Sequence, residues 1–278
     1  MFIDKTYPLV SADWLFAKAS DPTLVILDAS LKETVIKPEN NPEQFIIPNA
    51  KAFNMVAFSD PNSHLPHTMP SADRFTDEAQ KLGINKNSLI VVYDRVGLYS
   101  SPRVWWMFLV MGFGNIYVLD GGLPEWLKVG YNCTNTYTEM PQKGDFEAHY
   151  RQELISNKQE VLTTISNKDQ QIVDVRNAAR FFGEIAEPRP GLRRGHILGA
   201  THLPFESLLL DNKILKRQEL EKAFEKIGVK NKRLIFSCGS GVTACIGALA
   251  ATIAGYTDIS VYDGSWSEWG ADAKLPIE

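Results

Sequence analysis

Residues 234–244 read LIFSCGSGVTA, a pattern typical of a β-strand that is followed by a tight loop and a helix. The apolar run that ends at Cys238 indicates a buried strand, and the apolar residues Val242–Ala254 predict a helix. The two glycines between them allow left-handed backbone, so the loop can turn amide groups towards one point in front of the helix N-terminus. The stretch therefore predicts a positive, anion-binding cradle at the carboxyl end of a strand.

Cys238 is the residue in this stretch that can carry chemistry. A thiol beside such a cradle is expected to have a lowered pKa and to be a thiolate near neutral pH, which would make it a nucleophile. The alternative is a packed cysteine at a strand end, because free cysteines are often buried and inert. The Gly-Ser-Gly sequence directly after Cys238 favours the nucleophile.

Length and composition indicate a globular protein with two domains. The chain has 278 residues, of which 44% are hydrophobic and 22% are charged. The net charge of −4 argues against nucleic acid as the main partner. The first residues lack the features of a secretory signal, and no apolar run reaches the roughly 20 residues of a membrane span. We therefore expect a protein that binds neither nucleic acid nor a membrane.

The three cysteines are Cys133, Cys238 and Cys245. This small, odd number is typical of a reducing compartment rather than of a disulfide framework, which predicts a cytoplasmic protein. None of the cysteines is part of a CxxC pair or lies beside a histidine, so we expect no zinc site. The sequence also implies no organic cofactor.

The chain contains two copies of one pattern. Asp28 corresponds to Asp174, 146 positions later, and Asp94 corresponds to Cys238, 144 positions later. Further matches in the same order are Asp120-Gly121 with Asp263-Gly264, Glu125-Trp126 with Glu268-Trp269, and Ala50 with Ala200. The repeat predicts an N-terminal domain over residues 1–132, a linker over 133–151 and a C-terminal domain over 152–278.

Each copy alternates short apolar runs with helical stretches. The predicted strands are Val25–Asp28, Ala52–Asn54, Ile90–Tyr93, Ile116–Leu119, Ile172–Val175, Thr201–Leu203, Leu234–Ser237 and Ser260–Tyr262. The predicted helices are Asp13–Lys18, Ala72–Leu82, Pro102–Met111, Gln218–Lys226 and Val242–Ala254. Apolar strands separated by helices predict an α/β fold, in which each copy is a mostly parallel sheet flanked by helices. Ligands of such sheets bind at the carboxyl ends of the strands, where Cys238 is expected.

Asp94 stands in the first copy where the second has Cys238. A carboxylate cannot carry out the sulfur chemistry of a thiolate, so the N-terminal domain is predicted to be catalytically inactive. Its expected role is to form part of the wall of the active site.

These residues resemble the rhodanese family of sulfurtransferases in its two-domain form, over nearly the whole chain. The markers are Asp174-Val175-Arg176, the segment 195–200 (GHILGA), the loop 238–243 (CGSGVT) and the segment 262–269 (YDGSWSEW). The resemblance implies two tandem rhodanese-like domains. It also implies that the Cys238 thiolate takes up a sulfur atom as a persulfide and passes it to cyanide or to a thiol such as thioredoxin.

The loop CGSGVT is similar to that of the family members that use 3-mercaptopyruvate and release pyruvate. Members that use thiosulfate typically have two cationic residues at the positions of Gly239 and Ser240. A neutral loop leaves the substrate carboxylate to other residues, and the resemblance implies Arg180 and Arg189, since arginine binds carboxylates through a planar fork. Either arginine could instead lie on the surface or form a structural ion pair.

The resemblance implies that Ser240 and His67 are catalytic residues, with His67 relaying a proton to the departing enolate. The substrate-binding loop residues that it implies are Gly239, Gly241, Val242 and Thr243. Alternatively, His67 is a loop residue without a role, and Ser240 is a small residue that fits the loop.

Two positions depart from the family pattern. Leu198 stands where a proline is usual. Val56 lies eleven positions before His67, where the family places an acidic residue that is the third member of a relay with Ser240 and His67. Asp60 is near in sequence, but the sequence alone does not assign it that role.

Three other functions are weighed against this interpretation. A protein phosphatase of related fold needs C-x5-R, but the sixth residue after Cys238 is Ala244. A thiosulfate sulfurtransferase would be expected to have cations in the loop, unless Arg193 and Arg194 supply them. A persulfide carrier that works only with a partner protein would have the same loop, and turnover of mercaptopyruvate with a small thiol distinguishes it from an enzyme.

Overall fold

The computed structural model describes residues 7–31, 45–139 and 142–278. They form two compact units. The N-terminal unit consists of the described residues of Met1–Ser59, Pro70–Arg151 and Asp211–Ile214, and the C-terminal unit of Asp60–Met69, Gln152–Leu210 and Leu215–Glu278. The described residues of 133–151 thus lie in the N-terminal unit, and the segment 60–69 that carries His67 lies in the C-terminal unit. The domain boundaries at residues 132 and 152 stay predictions.

Five parallel strands form the sheet of the N-terminal unit, in the order β1-β5-β4-β2-β3. The strands are β1 (Leu9–Val10), β2 (Leu24–Asp28), β3 (Ala50–Ala52), β4 (Leu89–Tyr93) and β5 (Ile116–Leu119). The helices of this part of the chain are α1 (Ala12–Ala17), α2 (Ala72–Lys81), α3 (Ser101–Val110) and α4 (Gly122–Val129).

Five parallel strands also form the sheet of the C-terminal unit, in the order β6-β12-β11-β7-β8. Its strands are β6 (Ile155–Ser156), β7 (Gln170–Asp174), β8 (Thr201–His202), β11 (Arg233–Ser237) and β12 (Ile259–Tyr262). The helices are α5 (Lys158–Thr164), α6 (Ala178–Phe181), α7 (Arg217–Lys226), α8 (Ala244–Ile253) and α9 (Ser265–Trp269), with 3-10 turns at Gln152–Leu154 and Phe205–Leu208. Two short strands, β9 (Leu209–Leu210) and β10 (Lys213–Ile214), complete the described elements. The two five-stranded sheets have the same strand order, position by position, as the sequence repeat requires.

Both faces of the N-terminal sheet are buried, which explains why its strands are apolar without alternation. Ile26 and Val91 are paired in register and belong to a core cluster that also contains residues of α1 and α4. Leu27 and Val92 point to the opposite face and are also fully buried. The sheet therefore lies inside its unit, with only its strand ends open to ligands.

The C-terminal sheet is covered in the same way. Ile172 and Ile235 are paired in register and pack with Trp266 in one core cluster. Phe236, on the opposite face, lies against α8 so closely that a Cβ atom on Gly247 would be 2.5 Å from its ring. This close approach of helix and strand fixes the position of the loop that joins them.

All predicted strands and helices are present within two residues of their predicted bounds. The largest differences include β3, which begins two residues earlier than predicted, and α8, which begins two residues later. No helix in the described residues is long and apolar enough to cross a membrane.

Candidate active site

The loop of residues 238–243, called the active loop here, joins β11 to α8. Gly241 has φ +76°, the left-handed conformation that glycine adopts without strain, and it turns the chain from the strand into the helix. Cys238 is 1% exposed. Cys238 follows the central strand β11, and its carbonyl is covered by α9. The nucleophilic role expected of its thiol stays a prediction.

The carbonyl groups of the active loop bind α9. The carbonyl oxygen of Cys238 accepts the N–H of Trp266 at 3.0 Å. The carbonyl oxygen of Gly239 accepts the N–H of Ser267 at 2.9 Å and its hydroxyl at 2.6 Å. In a trans peptide the N–H points opposite to the C=O, so the amides of Gly239 and Ser240 point away from α9. This is the side on which the sequence predicts an anion.

Ser265 holds both ends of the turn with one buried hydroxyl. Its Oγ accepts the N–H of Cys238 and the N–H of Gly241, each at 3.1 Å, and donates to the carbonyl of Tyr262 at 2.8 Å. These two amides are therefore bound to Ser265. Within the described residues, the other amides of the active loop donate to no protein acceptor; they belong to Gly239, Ser240, Val242 and Thr243. These four amides are the ones available to form the cradle that the sequence predicts.

Arg180 lies directly beside the active loop. A Cβ atom on Gly239 would be 2.8 Å from Nη2 of Arg180, so the guanidinium packs on the glycine backbone. Burial alone would lower the pKa of Arg180, but the hydrogen bond and charge of Glu187, and then the charge that Cys238 carries when it is ionised, raise it above the ordinary value. The positive charge of Arg180 is thus within electrostatic range of the Cys238 sulfur.

Arg180 is also one member of a buried ion-pair chain. Its Nε and Nη2 donate to the two carboxylate oxygens of Glu187 at 3.1 and 2.5 Å. Arg176 pairs with the same Glu187 at 2.9 Å and with Asp174 at 2.6 Å, and its guanidinium lies 4.4 Å from the ring centroid of Trp266. The structural ion pair that sequence analysis left open for Arg180 is therefore present, and it fixes the orientation of the guanidinium.

Arg189, unlike Arg180, forms no ion pair with a carboxylate of the described residues. Its side chain is exposed, and its Nη2 is 3.5 Å from Oγ of Ser240, at the limit of a hydrogen bond. No carboxylate of the described residues lies within ion-pair distance of it. The structure thus brings a guanidinium without an acidic partner to the hydroxyl of the active loop.

His67 belongs to the segment 60–69, which packs within the C-terminal unit. His67 has φ +60°, which is unusual for a residue other than glycine, and the N–H of Met69 donates to Oδ2 of Asp263 at 2.7 Å. Leu65 and Ser267 line the same groove of about 540 Å³. These contacts place the His67 segment against the segment 262–269 that holds the active loop.

Among the described residues, neither Val56 nor Asp60 takes the role of the acidic residue that the family places before His67. Val56 is 73% exposed and lies in the N-terminal unit. Asp60 accepts the N–H of Asn62 with its Oδ1 at 2.9 Å, as in an ordinary turn.

The N-terminal unit holds an anion of its own at the corresponding place. Asp94 follows β4 as Cys238 follows β11, and its carboxylate is fully buried. It accepts the hydroxyl of Ser101 at 2.7 Å and five backbone N–H groups at 2.8–3.0 Å, from Val96, Gly97, Tyr99, Ser100 and Ser101. The loop in this fold position therefore binds a negative charge through its amides, with α3 directly behind it.

Sequence reasoning missed four residues around the site. Ser265 and Ser267 bind the active loop, Glu187 orients Arg180, and Asp263 binds the segment that carries His67. The segment 262–269 was quoted only as a family marker, and its bonds to the loop join residues more than 20 positions apart. Arg193 donates to the backbone carbonyls of Trp269, Gly270, Asp272 and Leu275, so its guanidinium is held by the chain itself. Among the described residues, no group of His, Cys, Asp and Glu could hold a metal ion.

Comparisons with known proteins agree with this geometry. A family model described as the Rhodanese-like domain matches residues 11–129 and 157–272. The 3-mercaptopyruvate sulfurtransferase of Escherichia coli (strain K12) is 38% identical over 273 residues, which cover 97% of each chain. The thiosulfate sulfurtransferase of Rattus norvegicus is 36% identical over 271 residues, or 94% of this chain and 91% of that one.

A solved structure shows the same fold. The crystal structure of SseA from Escherichia coli, one of the 3-mercaptopyruvate sulfotransferases, matches with a TM-score of 0.82 at 36% identity, over 94% of this chain and 99% of that one. The family resemblance and the fold class predicted from the sequence are thereby confirmed. The chain belongs to the rhodanese family, as a sulfurtransferase built from two rhodanese-like domains.

Proposed function

We propose that the protein transfers the sulfur atom of 3-mercaptopyruvate to a thiol or cyanide through a persulfide on Cys238. The observation that carries this choice of donor is the pairing of a neutral active loop with Arg189, whose guanidinium lies at Ser240 without an acidic partner among the described residues. Overall identity does not decide the donor, because the mercaptopyruvate and thiosulfate relatives are 38% and 36% identical.

The first half-reaction forms the persulfide. The Cys238 thiolate attacks the thiol sulfur of 3-mercaptopyruvate, and a bond forms between the two sulfur atoms. The carbon–sulfur bond of the substrate breaks, and its electron pair stays on carbon as the enolate of pyruvate. The enolate takes up one proton and leaves as pyruvate, and the outer sulfur remains on Cys238.

The second half-reaction returns the enzyme to its starting state. A thiolate acceptor attacks the outer sulfur, a new sulfur–sulfur bond forms on the acceptor, and the Cys238 thiolate is the leaving group. Cyanide attacks the same atom and leaves as thiocyanate. Two separate half-reactions predict ping-pong kinetics. A thioredoxin-type thiol is the acceptor that we propose on family resemblance.

The active loop stabilises negative charge at each stage. The amides of Gly239, Ser240, Val242 and Thr243 are directed away from α9 or have no protein acceptor in the described chain, so they are available to the thiolate and to the persulfide anion. Asp94 in the N-terminal unit supports this proposal, because its carboxylate occupies a loop of the same fold position through five amides. Arg180 adds a positive charge beside Gly239.

We assign the substrate carboxylate to Arg189, with Ser240 as its neighbour and Arg180 as a second, fixed charge. A planar guanidinium binds a carboxylate through two parallel hydrogen bonds, and Arg189 has no carboxylate among the described residues to compete for them. His67 is proposed to deliver the proton that the enolate needs, because imidazole exchanges protons near neutral pH.

The proposal also includes the roles of the two domains, the cellular location and the choice against thiosulfate. The N-terminal domain over residues 1–132 is proposed to be catalytically inactive, since Asp94 fills its loop with a carboxylate. Residues 152–278 form the proposed catalytic domain, and we propose a cytoplasmic location on the cysteine content alone. Arg193 does not favour thiosulfate as the main donor, because four backbone carbonyls occupy its guanidinium.

The experiment that tests the proposal is a donor comparison on the purified protein. kcat/KM is measured for 3-mercaptopyruvate and for thiosulfate with a small thiol and with cyanide, and the intact mass is recorded after each donor. We expect a clear preference for mercaptopyruvate and a mass gain of one sulfur atom on Cys238. A preference for thiosulfate would overturn the choice of donor, and sulfur loading without turnover would identify a carrier that needs a partner protein.

A further inference from the structure

Lys51 is a charged residue at a buried position of a short strand. It lies on β3 in register with the fully buried Leu27, and it is only 7% exposed. The equivalent position of the C-terminal unit, in register with Val173, is Thr201. The buried lysine is therefore a feature of the N-terminal unit alone.

No described carboxylate pairs with Lys51. Asp21, which lines the same cavity as Lys51, accepts the N–H and hydroxyl of Thr23 with its Oδ1, and its Oδ2 is 3.6 Å from Nζ of Lys18. Burial without a compensating charge lowers the pKa of Lys51. A buried ammonium group is costly unless an anion or water satisfies it.

Lys51 lines a cavity of about 500 Å³ in the N-terminal unit. This volume is in the range of small-molecule sites, which is about 300–1,000 Å³. The wall beside Lys51 is rich in neutral hydrogen-bonding groups, among them Asn49, Asn85, Asn87, Ser88 and Thr138. The wall also contains Asp21, whose carboxylate is already bonded to Thr23 and paired with Lys18. Lys51 together with the amides and hydroxyls is a donor set that can recognise a polar organic anion.

We propose that this cavity binds a small organic anion, whose carboxylate or phosphate group pairs with Lys51. No residue of the active loop lines this cavity, since every residue of its wall lies in the N-terminal unit, and the proposal does not depend on the sulfur donor. The anion supplies the charge that the lysine lacks, and the amides and hydroxyls select a polar body for the ligand.

The test measures anion binding by isothermal titration calorimetry with inorganic phosphate and, separately, with acetate. Three proteins are compared: the unchanged protein, Lys51→Met and Lys128→Met. Lys51→Met is expected to fold, since it replaces a buried unpaired charge with an apolar side chain of similar length. Lys128→Met removes the same charge from an exposed position of α4 and serves as the matched control.

We expect at least one of the two anions to bind the unchanged protein and the Lys128→Met variant alike, and to bind Lys51→Met at least about tenfold more weakly, the loss of one charge-assisted hydrogen bond. The stronger of the two anions identifies the phosphate or carboxylate class. Equal affinity for the unchanged protein and Lys51→Met, or no binding of either anion at tens of millimolar, would overturn the proposal.

Discussion

Asp94 and Cys238 occupy the same position in two sheets of identical strand order: each directly follows the third strand of its sheet, at the carboxyl end. In the N-terminal unit the side chain itself fills the loop, since the Asp94 carboxylate accepts five backbone amides. In the C-terminal unit the amides of Gly239 and Ser240 have no protein acceptor among the described residues. The loop at this position thus holds the Asp94 carboxylate in the N-terminal unit, whereas in the C-terminal unit its amides are available to a reacting anion.

The first prediction concerns the anion of the N-terminal unit. Asp94→Asn is expected to lower the free energy of unfolding by about 2–3 kcal/mol, because the loop's N–H groups lose a charged acceptor and an amide NH₂ faces them instead. Urea denaturation measures the loss. Hydrogen exchange should accelerate at residues 96–101 specifically. The exposed Asp77→Asn is the matched control and should leave both quantities unchanged; equal stability of Asp94→Asn would contradict the role of the carboxylate.

The second prediction concerns the nucleophile. Cys238→Ser is expected to abolish turnover of 3-mercaptopyruvate and the one-sulfur mass gain, since a serine hydroxyl is not ionised near neutral pH and forms no persulfide. Circular dichroism should show an unchanged fold, because serine is similar in size. Cys133→Ser, at a half-buried position, should keep full activity. Retained turnover in Cys238→Ser would remove the central claim.

Most of the fold could be predicted from the sequence, because its strands are continuous apolar runs. β4 and β11 were predicted within one residue for this reason. The two-residue strands β1 and β6 carry too short a pattern to be seen. α9 was missed because its five residues, SWSEW, are too few to show a helical period.

The part of the site that could be predicted from the sequence is the part whose residues are adjacent in the chain. Cys238 and its glycines are adjacent in sequence, so their pattern is visible. Ser265 acts through hydrogen bonds to residues 24 and 27 positions away, and an isolated serine gives no signal of such contacts. The ion pair between Arg180 and Glu187 could not be predicted either, because the sequence contains many acidic residues and only the fold shows which one contacts Arg180.

The third prediction separates the two arginines. Arg189→Ala is expected to lower kcat/KM for 3-mercaptopyruvate by about tenfold to a hundredfold through the loss of charge-assisted hydrogen bonds, with little effect on thiosulfate or on unfolding. Arg180→Ala should also lower the free energy of unfolding, by about 1–3 kcal/mol, because the buried Glu187 loses one of its two cations. Equal losses of Arg189→Ala on both donors would argue against carboxylate binding.

The fourth prediction concerns the hydroxyl that holds the active loop. Ser265→Ala leaves the amides of Cys238 and Gly241 without their acceptor in a buried place, so we expect the free energy of unfolding to fall by about 1–3 kcal/mol. kcat should fall as well, because the cradle is less well ordered. The exposed Ser207→Ala is the control. An unchanged kcat in a destabilised Ser265→Ala would limit the role of Ser265 to stability.

The last prediction concerns the segment that carries His67. Asp263 accepts the N–H of Met69 at 2.7 Å, so Asp263→Ala should release this segment and lower kcat for 3-mercaptopyruvate. If Asp263 acts by positioning His67, the effects of replacing the two residues are coupled, and a double-mutant cycle measures this coupling.

The cycle compares His67→Ala, Asp263→Ala and the double variant, with the exposed Asp258→Ala as control. We expect the double variant to be hardly less active than His67→Ala, with a coupling energy of about 0.5–3 kcal/mol. Simple addition of the two single losses would show that Asp263 acts independently of His67.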